Sequence, residues 1–201
     1  MKRFLIFFLI FVFYSSSVFA TISPKEQVKT TVDKVINILK DPKYKGQSKA
    51  QQKRAALRTE ISKVFDFEEM SKRTLGIYWK ERTPQEKKEF VELFKDLLER
   101  SYSGKIESYT DEEVVYTDER IEDRYAEVKT KIITKEKKEI PIDYRLYFTG
   151  NKWKVYDVVI EGVSLISNYR TQFNKIIRTQ SYQELVKRMK TKQTEELMRE
   201  K

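Results

Sequence analysis

Apolar residues recur at helical spacing in the first half of the chain, alternate with polar ones in the middle, and return to helical spacing near the end. Ser23-Pro24-Lys25-Glu26 has capping-box spacing with Pro at the first helical position. Val28, Val32, Val35, Ile36 and Leu39 follow on one face until Asp41-Pro42 stops the helix. Ser48 is expected to cap a second helix bearing Leu57, Ile61 and Val64, and Asp66 with Glu69 opens a third bearing Met70, Leu75 and Tyr78. Thr83-Pro84-Gln85-Glu86 repeats the capping box, and Phe90, Phe94, Leu97, Leu98 and Tyr102 extend one apolar stripe along a helix from about 84 to 108.

The period then drops to two. Val114–Thr117, Tyr125–Thr134, Glu139–Thr149 and Lys152–Ile160 read as four strands, with Gly150-Asn151 as the hairpin turn between the last pair. Ile140, Ile142, Tyr144, Leu146 and Phe148 share one face of the third strand, while Pro141, Asp143, Arg145 and Tyr147 share the other. By the same alternation Trp153, Val155, Asp157 and Val159 are expected together on one face of the fourth. After Gly162 the helical period resumes with Leu165, Ile166, Tyr169, Phe173, Ile176 and Ile177. Ser181-Tyr182-Gln183-Glu184 then caps a last helix bearing Leu185, Val186 and Met189. Helices, a meander of strands, then helices describe an α+β fold whose antiparallel four-stranded sheet is covered on one face.

The two ends read differently. Met1-Lys2-Arg3 is positive, Phe4–Tyr14 is an unbroken apolar run of 11 residues, and Val18 and Ala20 occupy small-residue positions, so residues 1–20 are predicted to be a signal peptide cleaved after Ala20. The run is far short of the ~20 residues of a membrane-spanning helix. Residues 21–190 then form a single domain, and 191–201, polar and charged, a flexible tail.

Composition removes several chemistries. The 201 residues include no His and no Cys, which excludes disulfides, thiol nucleophiles, Ser-His-Asp triads, thiolate or imidazole metal sites and a lipid-modified cysteine. Lys plus Arg outnumber Asp plus Glu by 41 to 31, a formal charge of +10 that falls to +8 without Lys2 and Arg3. In an exported protein that surplus points to anionic membrane surfaces and acidic partners, with no nucleic acid. No glycine-rich phosphate loop, G-x-S-x-G elbow or metal-ligand spacing is present. What remains for catalysis is a carboxylate pair, Asp157 and Glu161, at a strand end near apolar residues. The structural reading, in which they satisfy backbone donors or an arginine such as Arg145 or Arg170, is the stronger.

One segment resembles a known family. Val155-Tyr156-Asp157-Val158-Val159-Ile160-Glu161-Gly162-Val163-Ser164-Leu165-Ile166-Ser167-Asn168-Tyr169-Arg170, with Phe173 and Ile176 beyond it, is similar to the signature of the MlaC family of periplasmic phospholipid-binding, or toluene-tolerance, proteins. Leu75-Gly76-Ile77-Tyr78-Trp79, Thr83-Pro84-Gln85 and the Phe90, Phe94, Tyr102 stripe resemble its middle region in the same order.

The resemblance implies an NTF2-like fold whose sheet and helices enclose an apolar cavity, with acyl chains buried and the headgroup at the surface. It implies a non-enzymatic periplasmic carrier without cofactor, shuttling phospholipid between an inner-membrane ABC-type complex with an MCE-domain protein and an outer-membrane lipoprotein bound to a porin; a monomer is expected. The residues expected to line such a cavity are Ile140, Ile142, Tyr144, Leu146 and Phe148 on the sheet, with Val155 and Val159 on the next strand. Val163 and Ile166 are expected after the turn, and Phe90, Phe94 and Leu97 on the long helix. Arg170, Arg178, Lys187 and Arg188 are candidate docking cations. Two other classes stay open: an NTF2-like small-molecule enzyme using Asp157 for proton transfer, and a structural envelope protein with a filled core.

Overall fold

The computed structural model describes residues 22–108 and 112–191, so the expected signal peptide and all of the expected tail except Thr191 lie outside the described residues. Helices α1 (Pro24–Lys40), α2 (Ala50–Val64), α3 (Phe67–Leu75) and α4 (Pro84–Glu107) precede strands β1 (Glu113–Glu122), β2 (Tyr125–Ile133), β3 (Glu139–Thr149), β4 (Lys152–Ile160) and β5 (Val163–Ser164). Helices α5 (Leu165–Thr179) and α6 (Tyr182–Lys190) are the last elements among the described residues. No helix among the described residues is long and apolar enough to cross a membrane.

The capping signals form as their chemistry dictates. Ser23, Asp66 and Ser181 each accept a hydrogen bond from the amide three residues on, and Thr83 and Glu86 complete a reciprocal capping box. Ser48 does not cap α2: a short 3-10 turn, Gln47–Lys49, precedes that helix, whose N-terminal flank Lys49 has no side-chain cap.

The sheet is antiparallel throughout, in the order β1-β2-β3-β4-β5. It has five strands where the sequence suggested four, because Val163–Ser164 returns to pair with Val159 and Ile160 after a tight turn at Glu161-Gly162. β1 also runs to Glu122, through Asp118, Glu119 and Arg120, which read as a charged loop in sequence. As the outermost strand it carries charge where an inner strand would not, and a register shift at Thr117 lets it continue. Gly150 and Asn151 both take positive φ, 54° and 62°, the backbone of a two-residue turn matched to the twist of a hairpin.

A second register shift decides which residues face where. Arg145 pairs with Asp157 but Leu146 pairs with Val155, so Tyr156 is an extra residue in β4. One inserted residue inverts the alternation beyond it. Trp153 and Val155 therefore stand on the inner face with Leu146 and Phe148, and so do Val158 and Ile160 opposite Tyr144 and Ile142. Asp157 and Val159 are turned to the outer face, paired with Arg145 and Asp143. The expected grouping of Trp153, Val155, Asp157 and Val159 on one face is thus corrected by the bulge.

Two hydrophobic clusters follow from this arrangement. One joins α3, α4, α5 and α6 around Phe90, Phe94, Leu97, Tyr169, Phe173 and Leu185. The other lies between the inner sheet face and α1 and α2, around Val28, Val128, Leu146, Trp153 and Val155. Phe65 and Tyr102 border both. The outer sheet face is not bare, since α3 and α5 cover its β4 side: Tyr147 donates its hydroxyl hydrogen to Asp66, and the Arg73 guanidinium lies 4.0 Å from the Tyr156 ring centroid.

Candidate functional site

Between the inner sheet face and helices α1, α2 and α4 lies a cavity of about 640 Å³. Its floor is β3 and β4, with Ile140, Ile142, Tyr144, Val155, Val158 and Ile160, continued on β2 and β1 by Thr130, Ile132 and Val114. Its roof is the stripe Val28, Val32, Val35, Ile36 and Leu39 of α1 and the stripe Leu57, Ile61 and Val64 of α2. Leu98, Tyr102 and Ile106 of α4 form a wall. Many of these aliphatic residues are only half-buried although they point into the fold, because what they face is the cavity and not a partner side chain.

The polar groups among the lining are handled in two ways. The Thr31 hydroxyl donates to the Gln27 carbonyl at 2.9 Å and the Thr130 hydroxyl to the Ile142 carbonyl at 2.6 Å, so neither asks for a partner in the cavity. Most of the charged groups gather between α2 and α4, while Glu112 before β1 and Glu161 in the turn after β4 line the cavity from the sheet side. Arg58 bonds Asp96 at 2.6 Å and lies within 3.1 Å of Glu99 and 3.7 Å of Glu92, while Arg54 pairs with Glu107 at 2.8 Å. These pairs are solvent-accessible and tie α2 to α4 across a polar rim.

The expected lining residues are distributed as follows. Ile140, Ile142, Tyr144 and Val155 line the cavity. Leu146 and Phe148 share the inner face but are packed into the core beside Trp153, with the Phe148 and Trp153 ring centroids 5.2 Å apart. Val159 is on the outer face because of the β4 bulge, and Val163, in the turn strand, is 51% exposed. Phe90, Phe94, Leu97 and Ile166 belong to the other cluster, where Phe94 meets Tyr169 edge-on at 5.3 Å and Phe173 at 5.9 Å. The α4 stripe is wide enough to serve two neighbours: Phe90, Phe94 and Leu97 face α5 and α6, and Leu98, Tyr102 and Ile106, one position further round, face the cavity.

Sequence reasoning did not assign the α1 and α2 stripes to the site. Their signal was present as two apolar helical faces of Val, Ile and Leu, but spacing does not reveal what an apolar face covers.

The candidate acids are not a pair. Asp157 is buried on the outer face, 3% exposed, and accepts from the Ser164 hydroxyl at 2.6 Å, the Ile166 amide at 3.1 Å and an Arg145 guanidinium nitrogen at 3.2 Å. It thereby locks the start of α5 to β4, and of the two arginines considered it is Arg145 that answers its charge. Glu161 is exposed in the turn at φ 49°, with the Lys138 ammonium 4.0 Å away. Among the described residues no cluster of three or more acidic side chains is placed to hold a metal ion.

Comparison with known proteins bears on this geometry. The family model described as MlaC protein matches residues 29–191. The chain is 22% identical over 175 residues to the intermembrane phospholipid transport system binding protein MlaC of Haemophilus influenzae, covering 85% of this chain and 82% of that one. It is 26% identical over 153 residues to the toluene tolerance protein ttg2D of Pseudomonas putida, covering 75% and 71%. Among solved structures, a phospholipid-binding protein from Ralstonia solanacearum, in complex with a phospholipid, superposes with a TM-score of 0.77 at 27% identity, over 87% of this chain and 98% of that one.

Proposed function

The chain belongs to the MlaC family, and on that premise we propose that it is a phospholipid carrier whose cavity holds acyl chains while the headgroup stays at the polar rim. The observation that carries this reading is the aliphatic cavity between the sheet and α1, α2 and α4, whose 640 Å³ falls within the range of about 300–1,000 Å³ usual for ligand sites. The resemblance to a protein solved with phospholipid supports it. Ile140, Ile142, Tyr144 and Val155 contact the chains from the sheet, and the α1 and α2 stripes from above.

Transfer of acyl chains through water costs about 0.8 kcal/mol per methylene, so a two-chain lipid needs a carrier to cross an aqueous compartment. A bilayer hides the chains as well as a cavity does. The net hydrophobic gain on loading is therefore small, and small differential contacts with a donor or acceptor decide the direction. The carrier itself needs no nucleotide site, catalyst or cofactor.

In this proposal residues 1–20 direct export and are removed, residues 21–190 form the lipid-binding domain, 191–201 form a tail, and the protein works as a monomer in the periplasm. Its partners are an inner-membrane ABC-type complex bearing an MCE-domain protein and an outer-membrane lipoprotein-porin complex. Arg170, Arg178 and Lys187, exposed on α5 and α6, offer positive charge for docking. Arg188 is turned onto Glu184 at 2.9 Å.

Transfer of a fluorescent phospholipid from donor to acceptor vesicles tests the carrier role. The rate is expected to rise in proportion to protein concentration; a rate equal to that of vesicles alone would reject the proposal.

A further inference from the structure

Among the polar groups that line the cavity from the sheet and the helices over it, the Tyr144 hydroxyl stands apart. Thr31 and Thr130 spend their hydroxyl hydrogens on backbone carbonyls, and the Tyr102 phenol is hydrogen-bonded to Tyr169. Tyr144 lines the cavity from the centre of β3, between Ile142 and Leu146 along the strand and opposite Val128 and Val158 on its neighbours. Its hydroxyl has no hydrogen-bond partner among the described residues. The side chain is half-buried and lines the cavity, and burial pushes its phenol up to about 12.

Once acyl chains displace water from the cavity, a phenol without a partner is a cost that a shape-matched phenylalanine would avoid. A ligand with an acceptor at the right depth removes that cost. The acyl chains bring no acceptor, and a phosphate brings a charge too costly to desolvate among aliphatic side chains. The neutral acceptors that enter with the chains are the ester carbonyls joining them to glycerol. We infer that the Tyr144 hydroxyl donates a hydrogen bond to an acyl ester carbonyl of the bound lipid, making it a depth stop that selects ester-linked over ether-linked lipids. This inference rests on the carrier reading above. The other floor residues on β3 and β4, Ile140, Ile142, Val155, Val158 and Ile160, read only the length and bulk of the chains.

The experiment loads purified protein from mixed vesicles containing diacyl phosphatidylethanolamine and its dialkyl ether analogue, and reads both complexes by native mass spectrometry. Wild type is expected to take up the ester lipid in about fivefold excess, the ratio that a net hydrogen bond near 1 kcal/mol produces at 1.4 kcal/mol per tenfold. Tyr144→Phe, which keeps the ring and removes the unpartnered hydroxyl, should load both lipids equally and melt no lower than wild type. The same ester preference in Tyr144→Phe would overturn the inference. So would a wild type that loads both lipids equally, a result that needs no variant. A wild type that loads neither lipid would overturn the carrier reading itself, and this one with it.

Discussion

Replacing Ile142 by Glu should abolish lipid loading while leaving the protein folded. Ile142 lies mid-strand on β3, between Thr130 of β2 and Ile160 of β4, with its side chain only half-buried because it faces the cavity. In the unloaded protein a carboxylate there can keep water around it. Loading requires that water to be exchanged for hydrocarbon beside an unpaired charge, which costs several kcal/mol, so retention should fall by about 100-fold or more. The same change at Val163 is the internal control. That side chain is half exposed in the turn before α5, outside the cavity, and Val163→Glu should load as wild type. Bound phospholipid per protein, measured after extraction beside a circular dichroism spectrum, separates the two. Full occupancy in folded Ile142→Glu would remove the sheet face from the site.

Removing Asp157 should cost stability and spare loading. Its carboxylate is almost fully buried and is shared by Ser164, the Ile166 amide and Arg145, so one side chain holds the β4 bulge, the β5 turn and the first turn of α5 together. Truncating one partner of a buried, hydrogen-bonded charge pair costs about 3–5 kcal/mol. Arg145 is partly exposed and can return to water, which places Asp157→Ala near the lower end, about 3 kcal/mol. At this chain length that corresponds to a fall in Tm of roughly 6–12 °C. Asp157→Asn keeps acceptors for Ser164 and Ile166 but loses the charge, and should fall between wild type and Asp157→Ala. Lipid occupancy below the melting temperature should be unchanged in both, because Asp157 points away from the cavity. Loss of lipid without loss of stability would instead place this acid in the functional site.

The fold was largely legible because the local signals agree with one another. The caps at Ser23, Asp66, Thr83 and Ser181 fall where the apolar periods change, and the Gly150-Asn151 turn sets the register of the β3-β4 hairpin. The site was legible only in part, for two physical reasons. Alternation assigns a strand's faces until an extra residue intervenes, and nothing in Val155-Tyr156-Asp157-Val158 marks Tyr156 as inserted, so alternation alone puts Val159 on the inner face and Val158 and Ile160 on the outer one, the reverse of what the bulge produces. An apolar helical stripe likewise gives a face but not its neighbour. Phe90, Phe94 and Leu97 were the most prominent stripe and turned out to fill the α4-α5-α6 core, whereas the plainer stripes of α1 and α2 close the cavity. The charged length of β1 carries no strand signal in the sequence, because edge strands do not need the alternation of inner ones.

On the proposed function, the space between the sheet and α1, α2 and α4 holds the acyl chains of a phospholipid. Native mass spectrometry of the protein purified without detergent, followed by organic extraction of what it carries, tests this most directly. A stoichiometric phospholipid mass is expected, retained in the wild type and absent from Ile142→Glu. A protein that is ligand-free on purification and takes up no phospholipid from vesicles would contradict it.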